Sequence, residues 1–298
     1  MISETPCNPT PPAKSIPATA GPMTAPARLQ LPLQVDVEAL TIGALHARAL
    51  GTNPLRDLRA RLQLGAIDGA EHRLDALSAG WDRLQATGAA RIAARSPFAL
   101  DLTLAVSQAA STPVTSPAPA TTGPPGKPPI DLTAWRATLA LTGPLEAPTL
   151  NASVQSPATA THPAQSLNAE AGLRPFAAWP LADLRAQTRA LDLSALSNSA
   201  PVTALTGQVT VASTAIDRPI SAKLTMNNDL AGRWNDGFVP LRQLQADLST
   251  RADDPSTVEL KTFNAEFGTR TQAGGKLSGS GRWQADRSTL TATLHALQ

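Results

Sequence analysis

The chain has 298 residues, 42% of them hydrophobic, and 25 Lys and Arg against 23 Asp and Glu leave a net charge of +2. That length suffices for one large domain or two ordinary ones. The basic residues are scattered among acids and aromatics make up only 3%, so neither the basic stripe nor the stacking platform of a nucleic-acid binder is present and no such partner is expected.

Residues 1–27 are rich in Pro, Thr and Ala. They hold little to bury and are expected to be a disordered tail. The single cysteine, Cys7, excludes an internal disulfide and reads as a free thiol in that tail. The start MISETPC lacks a basic residue and an apolar core, so it is not read as a signal peptide. No run approaches the ~18 apolar residues of a membrane-crossing helix. The chain as given is therefore expected to carry neither an export signal nor a membrane anchor.

A first β section is expected over 28–106. Alternation begins near Leu29; Val35 and Val37 share a face, and Leu40 and Ile42 imply a register change close by. Leu58, Leu62 and Leu64 make the next strand, which ends in a glycine turn. HRLDALSAGWDRLQATGAARIAA reads as two strands with a break near Gly80. Leu100, Leu102, Leu104 and Val106 then alternate with Asp101, Thr103 and Ala105. Residues 107–130 are proline-rich; proline removes ladder donors, so this is expected to be a loop or linker.

A second β section is expected over 131–298. It opens with WRATLALTGPLEAPTLNASV, which carries Leu139 and Leu141, and a polar stretch over 156–166 reads as a long hairpin loop. Over 173–201 alanine content would support a helix from Leu181. Alternation favours a strand to Leu193 instead, with Leu184, Ala186, Thr188 and Ala190 on one side, then a helical turn over Ser194 to Asn198. Val209 and Val211 oppose Thr210; Ile220, Ala222, Leu224 and Met226 oppose Ser221, Lys223 and Thr225; Leu290, Ala292 and Leu294 oppose Thr291 and Thr293. The last strand ends at Leu297 without a capping unit, so the array is expected to continue beyond this chain.

One hairpin-sized unit recurs: Leu84 to Val106, Trp135 to Val154, Leu205 to Met226 and Lys276 to Leu297. In each, an apolar strand meets a polar turn and a second alternating strand follows. Such recurrence marks a stacked β array. Period-two alternation gives every strand one greasy and one wet side, as in an antiparallel sheet with one solvated face. The expected fold class is all-β: an elongated, curved, mostly antiparallel sheet. Strands of six to eight residues at roughly 4.8 Å spacing would give about 16–20 strands and a span of roughly 75–95 Å.

Catalytic signatures are missing. His46, His72, His162 and His295 stand at no metal-ligand spacing. Gly126–Lys127 and Gly274–Lys276 lack the upstream glycine of a phosphate loop. Gly279 to Gly281 reads as a bulge or kink inside a strand, not a nucleophile elbow. Asp253 and Asp254 precede a proline and read as a solvated turn. Trp81, Trp135, Trp179, Trp234 and Trp283 are spread along the array and read as rings buried at sheet corners or rims. No enzyme activity, cofactor or metal is expected.

VDVEALTIGAL, the long stretch from LRARLQLGAIDG to ALDLTLAV, LRPFAAWPLADLRAQTRALDLSAL and LAGRWNDGFVPLRQLQADL resemble TamB-like translocation and assembly module proteins of Gram-negative bacteria. More distantly they are similar to AsmA-like proteins. The resemblance covers most of residues 29–298 and is carried by composition and repeat rhythm. It implies a trough with an apolar interior, a so-called β-taco, in a periplasmic protein anchored in the inner membrane. It also implies roles in moving phospholipid to the outer membrane and in outer-membrane protein assembly with a TamA-like barrel partner. The family's N-terminal anchor and barrel-facing domain are expected to lie outside these residues.

One-sided placement nominates Leu100, Leu102, Leu104, Leu139, Leu141, Val209, Val211, Ile220, Leu224, Leu290 and Leu294 as the concave lining that meets phospholipid acyl chains. A chaperone-like module pairing strands at a sheet edge is a second reading. A structural or adhesin-like secreted protein with a closed core is a third.

Overall fold

The computed structural model describes residues 24–46, 53–82, 84–108, 135–158, 163–177, 179–195, 200–213, 218–251, 253–254, 256–285 and 289–297. Fifteen strands follow one another: β1 Val35–Leu45, β2 Leu55–Gly65, β3 Glu71–Trp81, β4 Leu84–Ala93, β5 Ala99–Gln108, β6 Arg136–Pro144, β7 Thr149–Ser156, β8 Gln165–Leu173, β9 Leu181–Leu191, β10 Leu205–Ala212, β11 Pro219–Asn228, β12 Leu241–Arg251, β13 Thr257–Gly268, β14 Ala273–Gln284 and β15 Thr289–Leu297. They form one sheet in sequence order, β1 to β15. Each consecutive pair is antiparallel. The sheet is elongated, curved and not closed. Among the described residues no helix is long and apolar enough to cross a membrane.

The four recurring units are the hairpins β4–β5, β6–β7, β10–β11 and β14–β15. The two sections belong to one sheet, as expected, and are joined where β5 pairs with β6 from Ala99↔Pro144 to Ser107↔Arg136. β5 also takes Ser107 and Gln108 into the ladder, so the proline-rich segment does not begin at 107. The rest of that segment, and residues 1–23 of the expected tail with Cys7, lie outside the described residues.

Fifteen strands span about 67 Å at ~4.8 Å per step, fewer and shorter in sum than expected. The reason is strand length: the strands run 8–12 residues, not six to eight. The expected register change in β1 lies between Val37 and Leu40. The break near Gly80 falls just after Trp81.

The sheet starts at Val35, not Leu29. Pro32 lacks a ladder donor, and the preceding residues run as a strap across strand ends. Leu29 N–H donates to Ala94 O at 3.1 Å. His72 holds the strap: its Nε2 bonds Leu29 O at 2.7 Å while Nδ1 accepts from Gly65 N–H at 3.0 Å. That assigns an Nε2–H tautomer, since Nδ1 must be bare to accept.

β9 stops at Leu191, two residues short of the expected end. The carboxylate of Asp192 turns the chain by accepting from Ser194 N–H, Ser194 Oγ–H and Thr203 N–H. A short 3-10 turn over Leu193–Ala195 follows; the remainder of the expected helical turn, to Asn198, lies outside the described residues. Ala190 also leaves the row of Leu184, Ala186 and Thr188. Its φ is 50°, the pairing shifts there, and its N–H donates to Thr206 Oγ1.

The link between β2 and β3 holds Ile67 at φ 54°, ψ 61° with its side chain 60% exposed. A β-branched residue in the left-handed region is strained. Ile67→Gly is therefore expected to raise stability by about 1 kcal/mol, read as a higher denaturant midpoint with an unchanged slope.

Candidate functional site: an uncovered apolar face

Residues directly opposite one another on antiparallel strands share a sheet face. Following the pairings strand by strand therefore maps each face without further assumption. One row reads Val37, Leu62, Leu74, Ala90, Leu102, Leu141, Leu150, Ala171, Leu184, Val211, Ala222, Leu248, Leu260, Gly281, Ala292. It crosses all fifteen strands with no polar side chain.

A second row, two residues along, runs from Leu77 and Gly88 through Leu104, Leu139, Ala152, Ala169, Ala186, Val209, Leu224, Ala246, Phe263 and Gly279 to Leu294. A third passes Val106, Ala137, Val154, Leu167, Thr188, Gly207, Met226, Leu244, Ala265 and Leu277. Thr188 is its one polar side chain, and its hydroxyl donates to Ser166 O at 3.1 Å. None of these rows carries a charge.

The nominated residues all fall on this face by register. Leu102, Leu141 and Val211 are in the first row; Leu104, Leu139, Val209, Leu224 and Leu294 are in the second. Leu100 pairs with Ile92 at the rim, and Ile220 leads through Thr250, Val258 and Trp283 to Leu290. Exposure separates them. Leu294 is 57% exposed, whereas Ile220 is 3% exposed and has almost no surface to offer a ligand. Leu62, Leu74, Leu150, Leu184, Leu248, Leu260 and Phe263 belong to the same face but were not nominated. Plain alternation marks the first five; the bulge at Lys261–Thr262 hides the parity of Leu260 and Phe263.

Among the described residues no element packs over this face. The strands make substantial contacts only with their neighbours in the sheet order and with the short β2–β3 turn. The buried apolar residues are mostly alanines, with Phe98, Trp135 and Ile220, and no leucine is among them. Three rows about 6.8 Å apart, roughly 43 to 67 Å long, make a strip of roughly 700 Å² in plan. Soluble monomers leave apolar patches of about 300–600 Å² at most.

The tryptophans are at or near strand ends except Trp234, which opens a 3-10 turn over Trp234–Asp236 between β11 and β12, and three are not buried, against expectation: Trp234 is 67% exposed, Trp283 47% and Trp81 38%. Trp135 is buried at 8%. The exposed rings have no second layer to enter, so rim position does not bring burial.

The other face is hydrophilic. Thr138, Ser153, Asn168, Gln187, Gln208, Thr225, Gln245, Asn264, Ser278 and His295 form an uncharged polar row. Beside it charges are matched across strands: Asp101 faces Arg91, Glu170 faces Arg185, Asp247 faces Lys223 and Glu259 faces Arg282. Glu266 pairs with Lys276, whose hydrogen bond and charge hold its carboxyl below the usual range. Asp253 is lowered chiefly by its bond from Arg251, and Asp254 by bonds from Ser256 and Thr257. This turn is the solvated one expected there. A hollow of about 580 Å³ bordered by Thr103, Asn151, Asn168 and Arg185 lies on this face; the apolar strip is a broad surface by comparison.

No protein-family model, curated protein or solved structure matches the chain.

Proposed function

We propose that the chain is a section of a TamB-like, envelope-spanning periplasmic protein, and that its apolar face is the concave lining of a trough for phospholipid acyl chains. One observation carries the reading: charge-free rows run along the sheet, one of them apolar across all fifteen strands, and among the described residues no layer lies over them. Water against such a strip is costly at about 25 cal/mol per Å². An acyl chain removes that cost without needing a specific hydrogen bond, so chains can slide from strand to strand. A role in outer-membrane protein assembly, with a TamA-like barrel as partner, uses the same surface for greasy strands. The structural or adhesin-like alternative requires a closed core, and the open sheet favours the lipid reading over it.

Native mass spectrometry of the purified chain is expected to find bound phospholipid. Photo-crosslinking amino acids at Leu102 and Leu224 are expected to capture it, and those at Thr103 and Thr225 to capture little. Equal capture on both faces would overturn the proposal.

A further inference from the structure

The charge pattern of the polar face changes where the proline-rich segment joins β5 to β6. Elsewhere on that face a carboxylate stands directly opposite many of the cations, as Arg91 with Asp101 and Glu170 with Arg185. At the rim where β6 begins and β9 ends, the row reads Arg136, Gln155, Ser166, Arg189. Arg136 is flanked by Ser107 and Gln155, and Arg189 by Ser166. The pairing shift between β9 and β10 sets Arg189 and Ala190 together against the single residue Thr206. Bulges of this kind re-aim side chains beside binding sites.

These two arginines border a hollow of about 1290 Å³, and a third, Arg270, reaches it from the β13–β14 turn. That turn is tied to the rim by Arg270 N–H donating to Ala231 O at 2.9 Å. Two carboxylates also border the hollow. Asp192 is 3% exposed and occupied by Ser194 and Thr203. Among the described residues two carboxylates thus stand against three guanidinium groups, and only Asp229 is not already engaged by Ser194 and Thr203. Between the arginines the wall offers amide and hydroxyl groups, Gln155, Ser166 and Thr206.

We infer that this rim hollow binds a polar ligand with two anionic groups, phosphate or carboxylate, roughly 14 Å apart and a hydroxyl-bearing middle. The spacing follows from three strand steps of ~4.8 Å between Arg136 and Arg189. Guanidinium forks suit phosphate and carboxylate oxygens, which take two parallel hydrogen bonds. The site is on the opposite face from the apolar strip and stands or falls independently of lipid carriage there.

Titration calorimetry of the whole chain with octane-1,8-diyl bis(phosphate), whose extended length matches the span, tests it against the propane-1,3-diyl analogue and inorganic phosphate. The long bis(phosphate) is expected to bind about tenfold tighter than either, because its second group binds intramolecularly. Arg136→Gln with Arg189→Gln is expected to abolish that advantage, and Arg282→Gln, whose partner is Glu259, to preserve it. Both arginines are exposed, and glutamine retains most of the stem, so the fold is expected to persist by circular dichroism. Equal affinity for the two bis(phosphates), or an unchanged advantage in the double variant, would overturn the inference. Vesicles of phosphatidylcholine and phosphatidylglycerol form the second arm. Arginine-dependent vesicle binding identifies the anions as membrane headgroups; arginine-dependent binding of the bis(phosphate) alone identifies a free anion. Either result upholds the site.

Discussion

Leu224→Arg is expected to fold normally and to stop lipid carriage. Leu224 lies mid-strand in the second apolar row, between Val209 and Ala246. In a closed core an unpaired charge there would cost several kcal/mol and unfold the protein. On an uncovered face the guanidinium reaches water, and the loss is limited to packing, about 1 kcal/mol. Circular dichroism and protease resistance should therefore resemble the wild type. The charge nevertheless stands in the path of every acyl chain crossing β11, so bound phospholipid should fall sharply in native mass spectra. The same change in an assembled envelope protein should impair envelope integrity. Thr225→Arg, on the uncharged polar row, should be near neutral in both assays. Unfolding by Leu224→Arg would point to a covered face. A folded variant with undiminished lipid would remove the main support for the trough.

Gly207→Val is expected to separate β10 from β11. A Cβ on Gly207 would stand 2.2 Å from Thr225 O and 2.8 Å from Met226 Cα. Those are backbone atoms of the neighbouring strand and cannot rotate away. The same relation recurs at Gly88, 2.4 Å from Thr103 O, and at Gly279, 2.4 Å from Thr293 O. Each glycine thus permits close strand approach opposite a large apolar residue, Leu104, Met226 or Leu294. For Gly279 this corrects the bulge expected there. Its register with Leu294 is regular, and the bulge belongs to β13. Overpacking of this kind costs about 1–3 kcal/mol. In a sheet where each strand touches only its neighbours the loss stays local. Hydrogen exchange should show lost protection across β10 and β11, with β4 to β7 unaffected. Gly43→Ala is the control, since a Cβ there meets nothing within 4 Å. It should be neutral or stabilising by about 0.5 kcal/mol.

Much of this protein was legible in its residues because alternation and turn chemistry are local. Leu100, Leu102 and Leu104 against Asp101 and Thr103 assign a face whatever strand lies beside them. The Ser-Pro turn before Phe98 and the Gly-Pro at Gly143 place hairpins at short range, and short loops leave only antiparallel neighbours available. All-β class, one wet face and the apolar residues of each strand follow from that. What lies between distant residues was decided only by the tertiary structure. One curved sheet was expected, but that β5 pairs with β6 across the proline-rich segment was not, since no local pattern specifies a partner across such a gap. The His72 clamp on Leu29 joins residues 43 apart. The row Arg136, Gln155, Ser166, Arg189 exists only through three registers. Period two says which side a residue is on; register, a property of pairs of strands, says what stands beside it.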